Sequence, residues 1–403
     1  MKKEVVVVGA GPAGSAAAKN LAENGIDVLL IDKATFPRDK PCGGAIPMKV
    51  LKRFSYLKNS DLIESFSYGG AVYSSSLRYK VETEKEKPLI AMVHRDKFDA
   101  GLVDIAIEKG ADFIGGKAVK NIKISPDKAK ITVNDGSTID AEIVIGADGF
   151  KSIIRKKSGL SPKKEYFAVC IFEEYPMSSK TVTKWFTEKR SVHIFLKILG
   201  MRGYGWLFPK KDSVNIGVGE YQFLGRSNED KKNLTDLHKS FLSFLKDQKI
   251  IPKDLKIKKL QGGGFLIWPL KKTYADRVLL CGDAAGFVNP ITGEGIYNAM
   301  ISGEIASGII INSLEKEDTS ESFLSKYQKI WKNDFGRDLK LLSRSTNRWG
   351  IENETFIKRI SQDNKLAEMF LDVMTGEKSI YQMRWKIARR YISTVLKGKI
   401  KRK

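Results

Sequence analysis

The N-terminal segment, residues 1–33, constrains the fold of this chain more strongly than any other. Residues 5–8 form a continuous run of valines, which predicts a parallel strand that is buried on both faces. The glycine turn of residues 9–14 follows, and an alanine-rich stretch then predicts a helix over residues 15–23. A second apolar run, residues 28–31, ends at Asp32. This order of strand, turn, helix, strand and acid predicts a βαβ unit that binds a dinucleotide.

The glycines of the turn each answer a different physical need. Gly9 permits the tight turn, Gly11 lets the backbone approach a pyrophosphate, and Gly14 lets the helix pack closely on the strand. The pyrophosphate would then lie on free N–H groups at the N-terminus of the helix. Asp32 is placed to accept a hydrogen bond from a ribose hydroxyl. The predicted cofactor-binding residues of this segment are Gly9, Gly11, Ala13, Gly14, Asp32 and Lys33.

Length and cysteine content exclude several classes of protein. A chain of 403 residues is too long for one ordinary core, so we expect two or three domains. The three scattered cysteines, Cys42, Cys170 and Cys281, are too few for a disulfide scaffold or a four-cysteine iron–sulfur site. The histidines show no metal-ligand spacing, and no metal site is predicted. No signal peptide or run of 18 apolar residues is visible, which favours a cytoplasmic protein.

The rest of the chain alternates between strand-like and helix-like patterns. Alternating runs predict strands over residues 66–93 and a β-rich region over residues 165–220. Short apolar strands are predicted at residues 131–133, 143–145 and 278–281. Helices are predicted over residues 98–108, 227–249 and 296–314, and the chain after residue 320 is predicted to be helical only.

Three further stretches narrow the choice among dinucleotides. The first is Gly-Ala-Asp-Gly at residues 146–149, the second runs through residues 280–296 with Gly-Asp at its start, and the third is Arg95. In this order, and together with the N-terminal turn, they resemble the flavoprotein family built on the aromatic-hydroxylase fold, over roughly residues 1–330. The resemblance implies an α/β protein with a Rossmann-like FAD-binding domain, a β-sheet-rich substrate domain and a C-terminal helical region.

The same resemblance implies where FAD would bind. Asp283 would accept a hydrogen bond from a ribityl hydroxyl. Arg95 would lie near the phosphates or the ribityl chain, and an ordinary salt bridge is the alternative interpretation of that arginine. The remaining implied contacts are Gly293, Gly295 and Ile296 at a helix start facing the flavin, and Ala118 and Val119 beside the adenine. N–H groups at that helix start would favour negative charge on the reduced flavin.

Two more motifs sharpen the resemblance. Residues 41–44 read Pro-Cys-Gly-Gly, and residues 204–209 read Tyr-Gly-Trp-Leu-Phe-Pro, followed by Asn215 and Gly217. Together they resemble the corresponding elements of the geranylgeranyl reductases, and the chain is identified as a member of that family, of the archaeal type. The resemblance implies FAD-dependent saturation of C=C bonds in the geranylgeranyl chains of membrane ether lipids.

The aromatic motif has a physical reading of its own. Because residues two apart on a strand share a face, Tyr204, Trp206 and Phe208 would form an apolar wall suited to a prenyl chain. Ordinary sheet packing is the alternative. Cys42 is either a small residue that lets two glycines pack near the flavin or a thiol that positions substrate or donates a proton. The predicted site is Cys42, Tyr204 and Trp206 for catalysis, Phe208, Pro209 and Gly44 for substrate, and Cys42 and Gly43 beside the cofactor.

Saturating an isolated alkene requires a hydride on one carbon and a proton on the other, with water excluded. No second nucleotide fingerprint is visible, so the electron donor is either transient NAD(P)H or a small carrier such as ferredoxin. A flavin-dependent monooxygenase or halogenase of the same fold is the first rival function. A non-catalytic flavin electron-transfer protein at the membrane is the second. A quinone reductase would need an iron–sulfur module, which the three cysteines cannot supply.

The predicted domains are discontinuous. Residues 1–160 and 270–330 are predicted to form the FAD-binding domain, with strands near residues 66–93 contributing to the substrate side. Residues 161–269 are predicted to form the substrate domain. Residues 331–403 are predicted to form the helical region, which ends in a basic tail.

The net charge of +23 calls for an anionic partner or reflects a lysine-rich host. Residues 378–403 carry ten Lys or Arg and no acid, and they predict a basic amphipathic helix. Its predicted apolar arc is Met383, Ile387, Tyr391 and Val395, widened by Trp385, Ala388, Ile392 and Leu396, with Lys386, Arg389, Arg390 and Lys397 opposite. We expect residues 379–403 to dock on an anionic membrane, and packing on the body with solvated charges is the alternative. Nucleic-acid binding is not expected, because no module for it is recognisable.

Overall fold

The computed structural model describes residues 1–58, 60–164, 166–222, 233–346 and 353–400, without the side chains of residues 353 and 396–400. The chain forms two compact units, and each draws on three separate segments. The first unit comprises Met1–Lys40, Arg95–Tyr166 and Phe265–Ser343. The second comprises Pro41–His94, Phe167–Gly264 and Arg344–Lys403.

The first unit is built on a mainly parallel sheet flanked by helices. Its strands are β1 (Lys2–Val8), β2 (Val28–Ile31), β8 (Asp112–Ile114), β9 (Val119–Ile124), β10 (Ala129–Val133), β11 (Thr138–Gly146), β17 (Tyr274–Ala275) and β18 (Val278–Leu280). Its helices are α1 (Pro12–Glu23), α3 (Arg95–Glu108), α4 (Ile153–Lys157), α7 (Ile296–Glu315), α8 (Glu321–Trp331) and α9 (Arg337–Thr346), with a π-helical turn at Lys332–Gly336 and a 3-10 turn at Gly282–Ala285.

The N-terminal βαβ unit lies at the centre of that sheet. Strands β18, β11, β1, β2 and β8 are neighbours in this order and all run parallel. The valines of β1 are at most 5% exposed, because helices cover both faces of a parallel sheet. Helix α1 begins at Pro12, where a missing N–H costs nothing, and its first turn packs against α7. The predicted βαβ unit is confirmed.

The second unit contains a seven-stranded sheet, a three-stranded sheet and the C-terminal helices. Its strands are β3 (Ala45–Pro47), β4 (Ser65–Ser67), β5 (Gly69–Tyr73), β6 (Lys80–Glu84), β7 (Ile90–Met92), β12 (Phe167–Pro176), β13 (Val192–Leu196), β14 (Gly203–Pro209), β15 (Ser213–Gln222) and β16 (Gln261–Leu266). Its helices are α2 (Lys49–Arg53), α5 (Ser179–Phe186), α6 (Leu234–Asp247), α10 (Asn353–Ser361), α11 (Asn364–Met374) and α12 (Ile380–Ile400), with 3-10 turns at Ser55–Leu57 and Ile198–Gly200.

The seven-stranded sheet runs in the order β16-β12-β15-β14-β13-β5-β6 and is covered on both faces. On one face Phe195 and Leu207 belong to a buried cluster with Phe241 of α6. On the other face Leu196 belongs to a second cluster with Ile357 of α10 and further side chains of α11 and α12. Neighbouring residues of one strand enter different clusters because side chains alternate across a sheet. The predicted α/β fold with a β-rich part and C-terminal helices is confirmed.

The compact units group the segments differently from the predicted domains. Pro41–His94 belongs to the second unit, because β5 pairs in parallel with β13 and extends the seven-stranded sheet. Arg344–Lys403 belongs to the same unit, because α10, α11 and α12 share an apolar cluster with that sheet. A pairing between strands that are distant in the chain, such as that of Tyr73 with Phe195, leaves no local mark in the sequence.

Helix α12 is confirmed over Ile380–Ile400, but the predicted single apolar arc is wrong. Ile387 and Tyr391 pack against the sheet cluster, whereas Trp385 is 65% exposed and Ile392 is 57% exposed. Trp385 precedes Ile387 by two residues, which is about 200° around a helix, so the two cannot share a face. Arg390, predicted on the open basic face, instead forms an ion pair with Asp363 at 2.7 Å. The side chains of Leu396 and Lys397 and the residues of the tail beyond 400 lie outside the described part.

Within the described ranges, the helices are too short or too polar for any of them to cross a lipid bilayer.

Candidate active site

The glycine turn of the first unit is fixed by close backbone approaches. Gly9 has φ +103°, and a Cβ built on it would lie 2.3 Å from the Ala147 carbonyl oxygen. A Cβ on Gly14 would lie 1.8 Å from the Gly9 carbonyl oxygen. A Cβ on Gly11 would meet only Arg38 Nη2, at 3.8 Å, so space is left over this residue. The turn is therefore closely packed at Gly9 and Gly14 and open at Gly11. This arrangement suits a phosphate bound at the N-terminus of α1.

Asp32 sits at the carboxyl end of β2 and holds the turn. Its two carboxylate oxygens accept hydrogen bonds from Ala10 N at 2.8 Å and Ala34 N at 2.9 Å. The carboxylate is buried, yet each oxygen keeps a further lone pair for a hydroxyl donor. Lys33 beside it is exposed. Lys117 N donates to the Asp32 carbonyl at 3.0 Å, which brings the predicted adenine contacts at residues 118 and 119 next to the same strand end.

Arg95 lies at the start of α3, in a cluster that the sequence did not indicate. Its guanidinium makes two bonds to Asp99, at 2.7 and 2.8 Å, and Asp99 is fully buried. Arg38 binds the same carboxylate at 3.1 Å. Two guanidiniums on one carboxylate leave a net positive charge close to the open side of Gly11. Sequence reasoning missed Arg38 because its partner, Asp99, lies far along the chain, in α3. The one local signal for Arg38 is its position shortly after Asp32.

The Gly-Asp motif forms the second half of the predicted cofactor site. Asp283 lies in the 3-10 turn after β18, and a Cβ on Gly295 would lie 3.5 Å from its Oδ1. Gly295 is the N-cap of α7 and contributes no side chain, and Gly293 has the positive φ of +70°. Glycine at both positions leaves the backbone open at the start of α7, which begins at Ile296, while the Glu294 carboxylate accepts a hydrogen bond from Tyr297 N in the first turn at 2.7 Å.

These features fit FAD. The open Gly11 turn with two nearby arginines matches a pyrophosphate, and a buried carboxylate with spare lone pairs matches ribose hydroxyls. A helix N-terminus with glycine at its N-cap, beside Asp283, matches the pyrimidine edge of a flavin. All of these residues belong to the first unit, whereas Cys42 and Gly43, also predicted at the cofactor, belong to the second.

The aromatic motif of the second unit lies on β14 as predicted. The ring centroids are 6.0 Å apart for Tyr204 and Trp206, and 6.3 Å apart for Trp206 and Phe208, so the three rings share one face. Pro209 ends the strand. The register pairs Trp206 with Gly217 of β15, and Gly217 in turn with Phe172 of β12. The predicted aromatic row therefore exists in the second unit.

The Trp206 indole packs flat over Gly217 and Gly219, which have no side chains to obstruct it. A Cβ on Gly217 would lie 2.2 Å from Trp206 Cζ2, whereas one on Gly219 would lie 3.7 Å from Cζ3. Trp206 Nε1 donates to Asn215 Oδ1 at 2.7 Å. The Asn-x-Gly signature after the aromatic motif thus has a physical cause: the amide binds the indole N–H and the glycine clears room for the ring.

The Pro-Cys-Gly-Gly turn packs on this row. A Cβ on Gly43 would lie 2.8 Å from the Phe208 ring and 3.4 Å from Trp206 Nε1. Gly44 has φ +76°, and a Cβ there would lie 2.2 Å from the Val93 carbonyl oxygen. Gly44 N donates to the Cys42 sulfur at 3.4 Å. The two motifs that carried the sharper resemblance are therefore in contact, although they lie far apart in the sequence.

Tyr204 is at the end of the row that packs against the apolar cluster of the C-terminal helices. Burial raises the pKa of the Tyr204 hydroxyl well above its ordinary value, and the neighbouring Tyr221, Cys170 and Cys42 add to the effect. The phenol is therefore protonated across the physiological range and can act only as a neutral donor or acceptor.

Sequence reasoning missed the polar residues behind the row. Lys210 directly follows the aromatic motif in the sequence, and nothing in the sequence marked it as buried. It is 2% exposed and forms an ion pair with Glu174 at 2.9 Å. In the described part of the chain, Glu64, His94 and Asp212 bring possible ligand atoms within 4.8 Å of one another. His94 Nε2 donates to Glu64 Oε1 at 3.2 Å, and this bond raises the pKa of His94. The cluster is explained by this pairing of histidine and carboxylate, and we assign no metal to it.

The chain matches the model of a family described as FAD binding domain over residues 2–333. It is 32% identical to the digeranylgeranylglycerophospholipid reductase of Methanococcus vannielii over 82% of each chain. It is 30% identical to digeranylgeranylglycerophospholipid reductase 2 of Methanopyrus kandleri over 98% of this chain and 96% of the relative.

Solved structures agree at the level of the fold. A geranylgeranyl bacteriochlorophyll reductase-like protein of Thermoplasma acidophilum superposes with a TM-score of 0.79 at 23% identity, over 95% of this chain and 98% of the other. A flavin-dependent brominase superposes with a TM-score of 0.76 at 19% identity, over the full length of both. The chain belongs to the family of FAD-binding flavoproteins that includes the digeranylgeranylglycerophospholipid reductases, and it is an FAD-dependent oxidoreductase.

Proposed function

We propose that this protein saturates C=C double bonds in the geranylgeranyl chains of archaeal-type ether lipids or related prenyl compounds. The observation that carries the proposal is the contact between the Pro-Cys-Gly-Gly turn and the aromatic row of β14. Relatives that resemble the chain over most of their length are named for a reductase of such a lipid. An isoprenoid offers only dispersion contacts, and a row of aromatic faces supplies them.

The apolar surface continues beyond the row. Tyr204 packs against a cluster that contains Val72, Leu196 and the α12 residue Tyr391. All four belong to the second unit, and they extend the face of Trp206 and Phe208 toward the C-terminal helices. We propose that the prenyl chain lies along this face, with Phe208, Pro209 and Gly44 lining it nearest the reacting bond. The length of this surface suits a chain of repeated isoprene units.

Bound and reduced FAD supplies the hydride in this proposal. Cys42 and Tyr204 are the candidate proton donors to the other alkene carbon. Tyr204 keeps its proton because burial raises its pKa. The Cys42 sulfur accepts from Gly44 N, which leaves its S–H hydrogen free to donate. Trp206, held flat by Gly217, would exclude water from the reacting bond.

The cofactor contacts are part of the same proposal. The Gly9–Gly14 turn with Arg38 and Arg95 would hold the pyrophosphate. Asp32 would hold the adenosine ribose, with residues 118 and 119 beside the adenine. Asp283, Gly293, Gly295 and Ile296 would hold the ribityl chain and the flavin. The electron donor is proposed to be transient NAD(P)H or a small carrier such as ferredoxin.

The test is an anaerobic incubation of dithionite-reduced protein with a geranylgeranyl ether phospholipid. We expect products that are heavier by two hydrogens for each double bond reduced. Cys42→Ser and Tyr204→Phe separate the two proton donors: the true donor's variant should lose more than tenfold in kcat and keep its FAD. Tyr175→Phe is the matched control, because Tyr175 is a buried tyrosine on the opposite face of the sheet. Unchanged lipid with the wild-type protein would exclude the proposal.

A flavin-dependent halogenase or monooxygenase is the second candidate, because the brominase shares the fold over the full length of the chain. It predicts oxygen consumption and a halogenated or hydroxylated product. A non-catalytic electron-transfer protein predicts bound FAD with neither product. Running the incubation with and without oxygen separates the three outcomes.

We propose further that α12 contacts an anionic membrane surface. Trp385 and Ile392 are exposed and seven residues apart, so they lie on one side of the helix, and the exposed Lys386 and Arg389 flank them. An aromatic and a branched side chain bordered by cations match the interface between head groups and acyl chains. The packed side of α12 meets the cluster that contains Tyr204, so a docked helix would bring the lipid to the proposed prenyl surface.

Sedimentation with vesicles tests this contact. Trp385→Ser combined with Ile392→Ser should lower binding to vesicles that contain anionic lipid at least fivefold, with FAD content unchanged. Ile330→Ser is the control, since Ile330 is an exposed apolar residue of the first unit. Equal binding by the double variant and the control would contradict the contact.

A further inference from the structure

A single carboxylate behind the aromatic row collects hydrogen bonds from three side chains. Glu174 stands on β12 and is paired in register with Asn215 of β15. Its Oε2 accepts from Asn215 Nδ2 at 2.8 Å and from Lys210 Nζ at 2.9 Å, and its Oε1 accepts from Ser213 Oγ at 2.6 Å. Bonds to an ionised carboxylate are about twice as strong as neutral ones, so Glu174 is the anchor of this cluster.

The carboxylate determines which way the Asn215 amide points. An ionised carboxylate can only accept, so the Asn215 NH₂ must face Glu174. The amide oxygen is then turned toward Trp206, whose indole Nε1 can only donate, and the two meet at 2.7 Å. No alternative arrangement of donors satisfies all three groups. Glu174 therefore fixes the indole through one intermediate side chain.

The same carboxylate also controls the Pro-Cys-Gly-Gly turn. Lys210 Nζ donates to the Val93 carbonyl at 3.1 Å, and Val93 N donates to the Gly44 carbonyl at 2.8 Å. A Cβ on Gly44 would lie 3.0 Å from Lys210 Nζ, so the ammonium lies directly under the turn. An ammonium that is 2% exposed needs a counter-charge, and Glu174 supplies it.

We propose that Glu174 is a positioning residue that sets the plane of the Trp206 indole and, through Lys210, the height of the Pro-Cys-Gly-Gly turn over it. This inference rests on the proposed function for its kinetic consequence but not for its structural one. Glu174→Leu removes the oxygen that the Asn215 NH₂ and the Lys210 ammonium share. The Asn215 amide then loses the bond that orients it, and its NH₂ can turn toward the indole N–H. Glu174→Gln keeps an oxygen for these two donors and can turn its own NH₂ to the Ser213 hydroxyl, so it should leave the Asn215 amide in place.

The structural test uses the indole N–H resonances of the FAD-loaded full chain in two-dimensional ¹H–¹⁵N NMR. Trp206→Phe assigns the Trp206 resonance by its disappearance. In Glu174→Leu we expect that resonance to shift upfield or to split, because the acceptor of the indole N–H is no longer held in place, and in Glu174→Gln we expect it to stay near its wild-type position. The Trp331 resonance should stay in place, since its N–H bonds to Thr273 Oγ1 in the first unit. Glu173→Leu is the matched control: Glu173 is the adjacent buried glutamate, and its carboxylate accepts from the backbone of Lys258 and Lys259.

The kinetic test is a double-mutant cycle with the geranylgeranyl ether phospholipid. Glu174→Leu should lower kcat at least tenfold with FAD content unchanged. In the Trp206→Phe background the same change should cost less than threefold, because its main target is gone. An unmoved Trp206 resonance in Glu174→Leu, or one that moves equally in Glu173→Leu, would overturn the inference. Equal kinetic losses in both backgrounds would overturn it as well. If the wild-type protein reduces no lipid, the proposed function fails, and the resonance alone still decides the role of Glu174.

Discussion

The candidate site of the first unit is formed mainly by backbone, whereas that of the second unit is formed mainly by side chains. In the first unit the backbone makes the site: at Gly9 and Gly14 a Cβ would lie about 2 Å from a backbone oxygen, and the first N–H groups of α1 have no partner within the helix. In the second unit side chains make it: the Trp206 indole lies over Gly217, and an amide, an ammonium and a carboxylate hold the surroundings. A backbone site admits almost no substitution, whereas a side-chain site tolerates change at its edges and can be tuned. The first suits a fixed cofactor, and the second would suit the lipid that we propose as its substrate.

The largest effect should come from closing the glycine turn. In Gly14→Ala the new Cβ would lie 1.8 Å from the Gly9 carbonyl oxygen, so strand or helix must move. We expect FAD occupancy, measured from the visible absorbance of the purified protein, to fall more than tenfold. Gly308→Ala on α7 is the control, because its Cβ would meet no atom within 4 Å and should stabilise the helix by about 0.5–1 kcal/mol. Full FAD occupancy in Gly14→Ala would contradict the view that the site of the first unit depends on close backbone approaches.

A smaller and more selective effect is expected at the indole. Gly217→Ala would place a Cβ 2.2 Å from Trp206 Cζ2, while Gly219→Ala would make contacts of 3.6 Å and more. Overpacking of this kind costs about 1–3 kcal/mol, so the first variant should unfold at lower denaturant and lose activity while the second behaves as wild type. Both should retain FAD, because neither residue belongs to the first unit. Equal denaturation midpoints for the two variants would contradict the close fit of the ring.

The smallest effect concerns pH. Burial lowers the pKa of His193 to about 4, and its Nδ1 lies 3.1 Å from the Tyr73 hydroxyl on the face away from the aromatic row. The unfolded chain has an ordinary histidine pKa near 6.5, so between these values only the unfolded state binds the proton. Stability must fall as the pH drops through this window, by about 1.4 kcal/mol per pH unit. In His193→Gln the denaturation midpoint should depend less on pH between about pH 6.5 and 5 than in the wild type. An unchanged pH dependence would show that other groups determine it.

The first unit was largely predictable because its signals are local. A strand, a glycine turn and an acid in close succession define a βαβ unit, and β1, α1 and β2 appear where the pattern places them. Asp32 was found for the same reason. Arg38 was not, since its bond to Asp99 joins two segments that are distant in the chain.

The second unit was predictable only along single strands. Because side chains alternate along a strand, the sequence predicted that Tyr204, Trp206 and Phe208 share one face. Strand β14 shows this arrangement. The partners on β12 depend on register, and no local pattern links Glu174 to Lys210 or Asn215 on later strands. Helix α12 was predicted as an element, but its faces were assigned wrongly, because the side that packs is chosen by the sheet cluster it meets.

The central proposal is that reduced FAD, when bound to this protein, would give its hydride to a prenyl double bond. An anaerobic single-turnover experiment tests it most directly: reduced protein is mixed with a geranylgeranyl ether phospholipid, and the return of the oxidised flavin spectrum is followed. We predict that the flavin is reoxidised by the unsaturated lipid, with one double bond saturated per flavin, and that the fully saturated lipid leaves it reduced. A flavin that stays reduced with both lipids and is reoxidised only when oxygen is admitted would contradict the claim.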